Sequence, residues 1–312
     1  MKIVRQPAEV PRAAGPVALA IGFLDGVHLG HQQVIRAAMA RAHSIGGEAW
    51  VMTFEPHPLQ ILRPGKAPPL LTPTPQKLRL LEALGVDGCL LIPFTPALAQ
   101  REPEDFIADL AGALPPLAGV AVGANWTFGH RGRGDTELLR ALGERHDFVV
   151  EIVAPVLVGG APVSSTRVRQ AVQTGDLRGA AALLGRPFSV CGRVEPGRGV
   201  GRGLGFPTAN LDALHELHPP KGVYAVQAQF DGVRRGGAAY FGHRPTFDAT
   251  PQPVLEVHLF DTDADLYGKE LEVFFLAHLR GDQLFASPEA LRLQIERDVA
   301  RARAIVAAKE RP

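Results

Sequence analysis

Five short apolar runs punctuate the first half of this chain: VALAIGF at 17–23, AWVMTF at 49–54, GCLLIPF at 88–94, GVAVGA at 119–124 and FVVEIV at 148–153. Between them lie stretches of helical periodicity, 31–44, 75–84, 103–113 and 135–144; on the first, Val34, Ile35, Ala38, Met39 and Ala42 share one stripe. Strands that are apolar on both faces need cover on both faces, and a helix between successive strands supplies it. The pattern predicts a parallel α/β layer from about residue 17 to 184.

Past Leu184 the pattern changes. Gly185-Arg186-Pro187 breaks the last helix, and the strand-like runs VYAVQAQF (223–230) and LEVFFL (271–276) follow in Gly-rich surroundings. Asp231-Gly232 between two such runs is a hairpin signal, and the even spacing predicts a small antiparallel barrel. Leu291, Ile295, Val299 and Ala302 mark one apolar face of a closing helix over 287–309, expected to pack on that barrel. Two domains are expected, 1–184 and 185–312, with the proline-dense segment 64–75 as a loop able to move.

Composition narrows the function classes. The 33 basic and 32 acidic side chains leave a formal charge of +1, which disfavours a strongly basic nucleic-acid binder. Cys89 and Cys191 form no CxxC pair, so neither a disulfide framework nor a cysteine zinc site is indicated, and a reducing, cytoplasmic location is expected. The longest apolar run, 17–24, falls well short of the ~20 residues that span a bilayer, and MKIVRQPAEVPR lacks the apolar core of a signal peptide. Only two asparagines occur, Asn125 and Asn210, and both fall inside the motifs described next.

The run 17–23 leads into Gly22-Phe23-Leu24-Asp25-Gly26-Val27-His28-Leu29-Gly30-His31 and then a helix. Glycines let backbone approach a ligand, a helix N-terminus offers free N–H groups to a phosphate, and His28 and His31 can face the same anion. A tight turn with two surface histidines, or a zinc site without a recognisable third ligand, are the other readings. Further on, Gly197 to Asn210 intersperses glycines with Arg198 and Arg202 before Gly205-Phe206-Pro207-Thr208-Ala209-Asn210. Exposed N–H groups with two guanidiniums suit a loop that covers phosphates; an RNA contact and a solvated loop stay open. Ser164-Ser165-Thr166-Arg167-Val168-Arg169 reads either as a phosphate site or as a helix cap.

In order, these segments resemble one family. The Gly22–His31 segment is similar to the GxFDGxHxGH signature of nucleotidylyltransferases, and specifically of bacterial bifunctional riboflavin kinase/FMN adenylyltransferases (FAD synthetases). Thr53-Phe54-Glu55-Pro56-His57-Pro58 resembles TFEPHP; Val122 to Gly129 with Gly134-Asp135 resembles VGxDFxFG and its continuation; Ser164 to Arg169 with Gly175-Asp176 resembles SSTxIRxxLxxGD. In the second half, Gly201 to Asn210 resembles GRxLGFPTAN, Pro220 to Ala225 resembles PxGVYA, Gly242 to Phe247 resembles GxRPTF, and Glu256 to Gly268 resembles ExHLxDFxxDLYG. Leu279-Arg280 and Phe285 resemble the kinase's LRxExxF ending.

The resemblance implies a Rossmann-like nucleotidylyltransferase domain followed by a β-barrel riboflavin kinase domain with a terminal helix. It implies small-molecule partners, riboflavin, FMN and ATP, with Mg²⁺, and no nucleic acid or membrane. Glu256 would be the kinase base, and His28 and His31 would act in adenylyl transfer. Gly22, Asp25, Gly30, Asn125, Ser164, Ser165, Thr166 and Arg169 would bind ATP in the first domain, and Gly197, Arg202 and Gly205 in the second. Phe54, Pro56, His57, Pro58 and Arg280 would contact flavin, and Thr208 and Asn210 would hold the metal. Four departures from the pattern are Leu24 for Phe, Asn125 for Asp, Tyr240 for Asn and Gly281-Asp282 for the commoner acidic pair; that at Tyr240 is expected to alter flavin fit or kinase rate.

Overall fold

A computed structural model describes residues 1–12, 15–197, 200–213, 216–243, 253–262 and 264–310, without the side chains of residues 200, 202, 243, 253 and 310. The chain forms two compact units, Met1–Ser165 and Thr166–Pro312. Among the described residues no helix is long and apolar enough to cross a membrane.

The first unit runs β1 (Lys2–Val4), β2 (Val17–Ile21), α1 (Leu29–Ile45), β3 (Glu48–Glu55), α2 (Pro58–Leu62), α3 (Thr74–Ala83), β4 (Gly88–Pro93), α4 (Pro96–Ala99), α5 (Pro103–Ala113), β5 (Leu117–Gly123), α6 (Thr136–Arg145) and β6 (Val149–Val153), then the hairpin β7 (Leu157–Val158) and β8 (Ala161–Pro162). The main sheet has the order β1-β4-β3-β2-β5-β6, parallel throughout. Central β2 is buried at every residue, as its unbroken VALAI requires. One face packs Leu19, Ile21, Trp50 and Met52 against Ile107, Leu139 and Leu142 of α5 and α6. The other packs Ala20, Val51 and Leu91 against Val34, Ile35 and Ala38 of α1. The chain leaves β2 to one side through β3 and β4 and returns to its other side with β5, so the crevice beyond the carboxyl ends of β2 and β5 is the topological switch point, where such sheets bind ligands.

Three local features depart from what the apolar runs show. β1 is a three-residue edge strand, too short to give a periodic signal; it exists because β4 offers it a partner, Lys2 opposite Gly88. β6 reads apolar but is the other edge, so it is not buried on both faces, and Val149 is 51% exposed. The Pro56-His57-Pro58 exit is not wholly extended: α2 begins at Pro58, whose fixed φ suits a first helical position, and His57 Nδ1 accepts from the Leu59 amide at 3.0 Å.

In the second unit α7 (Ser165–Gln173), which starts on the last residue of the first, and α8 (Leu177–Leu184) precede β9 (Ser189–Glu195), α9 (Val200–Gly203), β10 (Ala209–Ala213), β11 (Gly222–Phe230), β12 (Val233–His243), β13 (Pro253–Leu259), β14 (Glu270–Arg280) and α10 (Pro288–Glu310). The six strands close into an antiparallel barrel in the order β10-β13-β12-β11-β14-β9. Phe230 pairs with Val233 across Asp231-Gly232, both at positive φ, the backbone that matches the twist of a two-residue hairpin. α10 packs on β11, β12 and β14 and buries Ala302 and Val306. Burial of a valine side chain contributes roughly 1.5–3 kcal/mol.

Candidate active sites

The first site grows from the turn between β2 and α1. Leu24, Gly26 and Val27 all adopt positive φ (58°, 82° and 41°), a conformation that costs non-glycine residues on the order of 1–3 kcal/mol each. Burial offsets it: Leu24 and Val27 are 1% and 2% exposed and join the α1-side core. The Asp25 carboxylate is buried as well and accepts from the amides of Leu71 (3.0 Å) and Thr72 (3.1 Å), while the Gly26 amide donates to Thr72 Oγ1. Asp25 thus pins the end of the proline-dense loop to the turn. Its own carbonyl accepts from Ser165 Oγ at 2.9 Å, across 140 residues of chain.

His28 caps α1, with Nδ1 accepting from the His31 amide at 3.3 Å. The two imidazoles stack with centroids 3.5 Å apart, and the missing side chain of Gly30 makes room, since a Cβ there would lie 3.2 Å from His28 Cε1. Burial first, then His28, then Lys77 hold His31 well below the ordinary histidine value, so it is neutral at pH 7. His31 Nδ1 is buried with no hydrogen-bond partner among the described residues, an uncommon state for a buried polar atom. Gly22 ends the strand by donating to Met52 O. Ser164 immediately precedes α7, with Thr166 and Arg169 in that helix's first turns. Two other motif aspartates prove to be helix caps, Asp135 on α6 and Asp176 on α8.

Beside the turn lies a cavity of about 1050 Å³ lined by Phe23, Phe54, Pro58, Phe94, Phe106, Asn125, Trp126 and Phe128. Trp126 stacks on Phe128 at 4.6 Å and Phe54 meets Phe94 edge-on at 5.8 Å, so the walls offer flat π-faces to a flat ring system. Phe54 and Pro58 line this cavity directly, whereas Pro56 is exposed outside it and His57 backs Phe23 with centroids 4.0 Å apart. Asn125 lines the same cavity.

The second site is built across β10, β12 and β13. Glu256 pairs with Asn210 on one side and with Tyr240 on the other, so the three side chains share one face. At the start of the glycine-rich segment, a Cβ on Gly197 would lie 2.0 Å from Asn210 Nδ2, so any side chain there would have to displace the Asn210 amide. Gly205 turns the chain with φ +86°. Arg202 lies on α9, its side chain outside the described residues, as are Arg198 and residues 244–247.

Two cavities meet here. One, about 340 Å³, is lined by Glu256, Tyr240, Arg280, Asp282, Phe285 and Thr208 among others; the second, about 330 Å³, by Val194, Pro207, Thr208, Asp265 and Tyr267 among others. Thr208 lies on the wall of both. Arg280 is held by buried Asp298 at 2.9 Å, itself bonded to Gln294, and lies 5.5 Å from the Phe285 ring centroid. The Tyr240 hydroxyl reaches both Asp282 carboxylate oxygens at 3.3 Å; burial, then Asp282, raise its pKa and keep it a hydrogen-bond donor.

The sequence motifs miss Lys77 and the aromatic walls Phe94 and Phe106, and they cover Asp282 without its bond to Tyr240. The one available signal for Lys77 was its rarity, as one of six lysines.

The comparisons agree with this geometry. A FAD synthetase family model matches residues 10–167 and a riboflavin kinase model matches residues 184–306. Proteins described as bifunctional riboflavin kinase/FMN adenylyltransferase are similar along nearly their whole length. That of Escherichia coli (strain K12) is 38% identical over 97% of both chains, and that of Haemophilus influenzae 35% identical over 97% of this chain and 99% of its own. A crystal structure described as a macrolide-efflux protein from Streptococcus pneumoniae superposes with a TM-score of 0.83 at 30% identity, covering 95% of this chain and 96% of that one. The efflux in that description is said of that protein; the likeness carries the fold. With both family models matched in order, and relatives of one description alike from end to end, the chain belongs to the bifunctional riboflavin kinase/FMN adenylyltransferase family.

Proposed function

We infer that this chain makes FAD in two steps: riboflavin and ATP to FMN and ADP, then FMN and ATP to FAD and pyrophosphate. The observation that carries it is the pairing, in one chain, of an aromatic cavity beside a glycine turn bearing two stacked histidines with a barrel whose two cavities share Thr208. We assign adenylyl transfer to residues 1–184, which include the phosphate motif on α7, and phosphorylation to 185–312.

In the kinase, riboflavin occupies the Glu256 cavity and ATP the neighbouring one, so that the γ-phosphoryl group crosses at Thr208. Glu256 accepts the proton of the primary hydroxyl as oxygen attacks phosphorus, and the glycine loop excludes water. Thr208 and Asn210 offer hard oxygen donors under the cradle formed at Gly197, a set that fits Mg²⁺ arriving with ATP. Bound there, the ion would neutralise phosphate charge. In adenylyl transfer no covalent intermediate is needed: the FMN phosphate attacks the α-phosphorus in line, and the chain positions and neutralises. His28 and His31 face the triphosphate, and Ser165, Thr166 and Arg169 take its far end. The partners are small molecules, and a cytoplasmic setting suits Cys89 and Cys191, both buried and outside any disulfide.

Purified protein given riboflavin and Mg-ATP is expected to accumulate FMN first and FAD after it, resolved by chromatography. Absence of both products overturns the reading, and FAD from added FMN alone would confine it to the first domain. Tyr240→Asn, which severs the bond to Asp282, is expected to raise the riboflavin KM about 3–10-fold, the worth of one modest hydrogen bond, with little change in kcat. Steady-state kinase assays check it, and FMN adenylylation in the same preparation should be untouched.

A further inference from the structure

Lys77 is used by none of the steps above, yet it is 3% exposed at the first active site. Its ammonium donates to Phe23 O at 3.3 Å, to Thr53 Oγ1 at 3.2 Å and to Phe54 O at 3.5 Å, and it lies 4.6 Å from the Phe23 ring centroid. Thr53 Oγ1 in turn donates to Phe23 O. Burying an ammonium is costly, and a Met or Leu would fill the same space without that cost.

What the charge does follows from where its acceptors lie. Phe23 follows β2 and opens the glycine turn; Phe54 is at the end of β3 and opens the Pro56-His57-Pro58 exit; both rings line the 1050 Å³ cavity. Carboxyl ends of parallel strands present carbonyl oxygens, whose partial negative charge repels phosphates. Lys77 occupies two of these oxygens and sets a positive charge behind the turn. It is also close enough to His31 to oppose its protonation.

We propose that Lys77 is a positioning residue for adenylyl transfer: its ammonium fastens the phosphate-binding turn to the flavin-side strand end and biases the crevice toward anions. This rests on the adenylyltransferase reading above. The charged and titratable groups facing Lys77 are Asp25 of the turn, Glu55 of β3 and Cys89 of β4; those facing His31 are His28 and Lys77.

The test compares full-length wild type, Lys77→Met and Thr53→Val, with FMN-to-FAD conversion measured at varied FMN and ATP and riboflavin phosphorylation measured in the same preparations. Lys77→Met should lower kcat for FAD formation about 100-fold, as displacement of reacting groups by about an ångström does, and leave the kinase rate within twofold. NMR titration of the His31 ring should show its midpoint moving up in Lys77→Met with the melting temperature no lower than wild type, whereas loosened packing, which also relieves burial of the ring, would raise the midpoint and lower the melting temperature together. Thr53→Val, similar in shape but without the hydroxyl, should lower FAD formation about 3–10-fold while the protein stays folded and the kinase rate stays within twofold; if Lys77→Met fails to fold, this variant decides. Full activity in either folded variant, or lost activity with the His31 midpoint unmoved, overturns the proposal. Wild type making no FAD from FMN would instead overturn the underlying function.

Discussion

Glu256→Gln is expected to cut riboflavin phosphorylation, with kcat falling about 10²–10⁴-fold, the range by which a positioned general base accelerates proton transfer. Gln keeps the shape and hydrogen-bonding reach of Glu but cannot take a proton. Glu256 is fixed by strand pairing on both sides, opposite Asn210 and Tyr240, so the exchange leaves the barrel register intact. The variant should therefore still bind riboflavin with a KM within a few-fold of wild type and still convert added FMN to FAD. Chromatography of both reactions from one preparation checks it. A kinase rate within threefold of wild type would remove Glu256 from the mechanism and leave the cavity as a binding site whose base lies elsewhere.

His31→Ala is the converse: FAD formation should fall about 10²–10³-fold, as when one donor to developing oxyanion charge is removed, while phosphorylation of riboflavin continues. His31 is stacked on His28 and has a buried ring nitrogen with no hydrogen-bond partner among the described residues, so packing sets its position and leaves that nitrogen's hydrogen-bonding capacity unused. The same residue gives a pH signature. Burial, His28 and Lys77 hold its folded-state pKa below the ordinary 6.5, so as pH falls through that value the unfolded chain takes up a proton that the folded chain refuses. The stability associated with this group is complete above about pH 6.5 and declines below it. Denaturant midpoints of wild type and His31→Ala should thus converge or cross as pH is lowered from 7 to 5. A difference independent of pH would mean that His31 titrates normally.

The legible parts of this protein are those whose chemistry is local. The alternation of apolar runs and helices fixes a parallel sheet, the Asp231-Gly232 dipeptide fixes a hairpin, and the apolar face of 288–310 fixes the closing helix, because each depends on residues within a turn or two of one another. The GxxDGxHxGH and GFPTAN segments are legible for the same reason: backbone that must approach a phosphate needs glycine at set spacings, and the side chains that complete the site follow within a few residues.

Tertiary structure decided what depends on partners far along the chain. β1 and β6 are edges only because of where β4 and β5 lie, so one was invisible and the other looked buried. Asp25 belongs to a phosphate motif, but its carboxylate is spent on amides 46 and 47 residues away. Lys77 meets Phe23 O across 54 residues, and Tyr240 meets Asp282 across 42. Such contacts leave no periodicity and no motif, since two residues so far apart are brought together only when the whole unit has packed. Sequence alone determined which chemistry the chain carries; packing decided which charged groups are buried to hold that chemistry in place, because the cost of burying a charge exists only once water has been excluded.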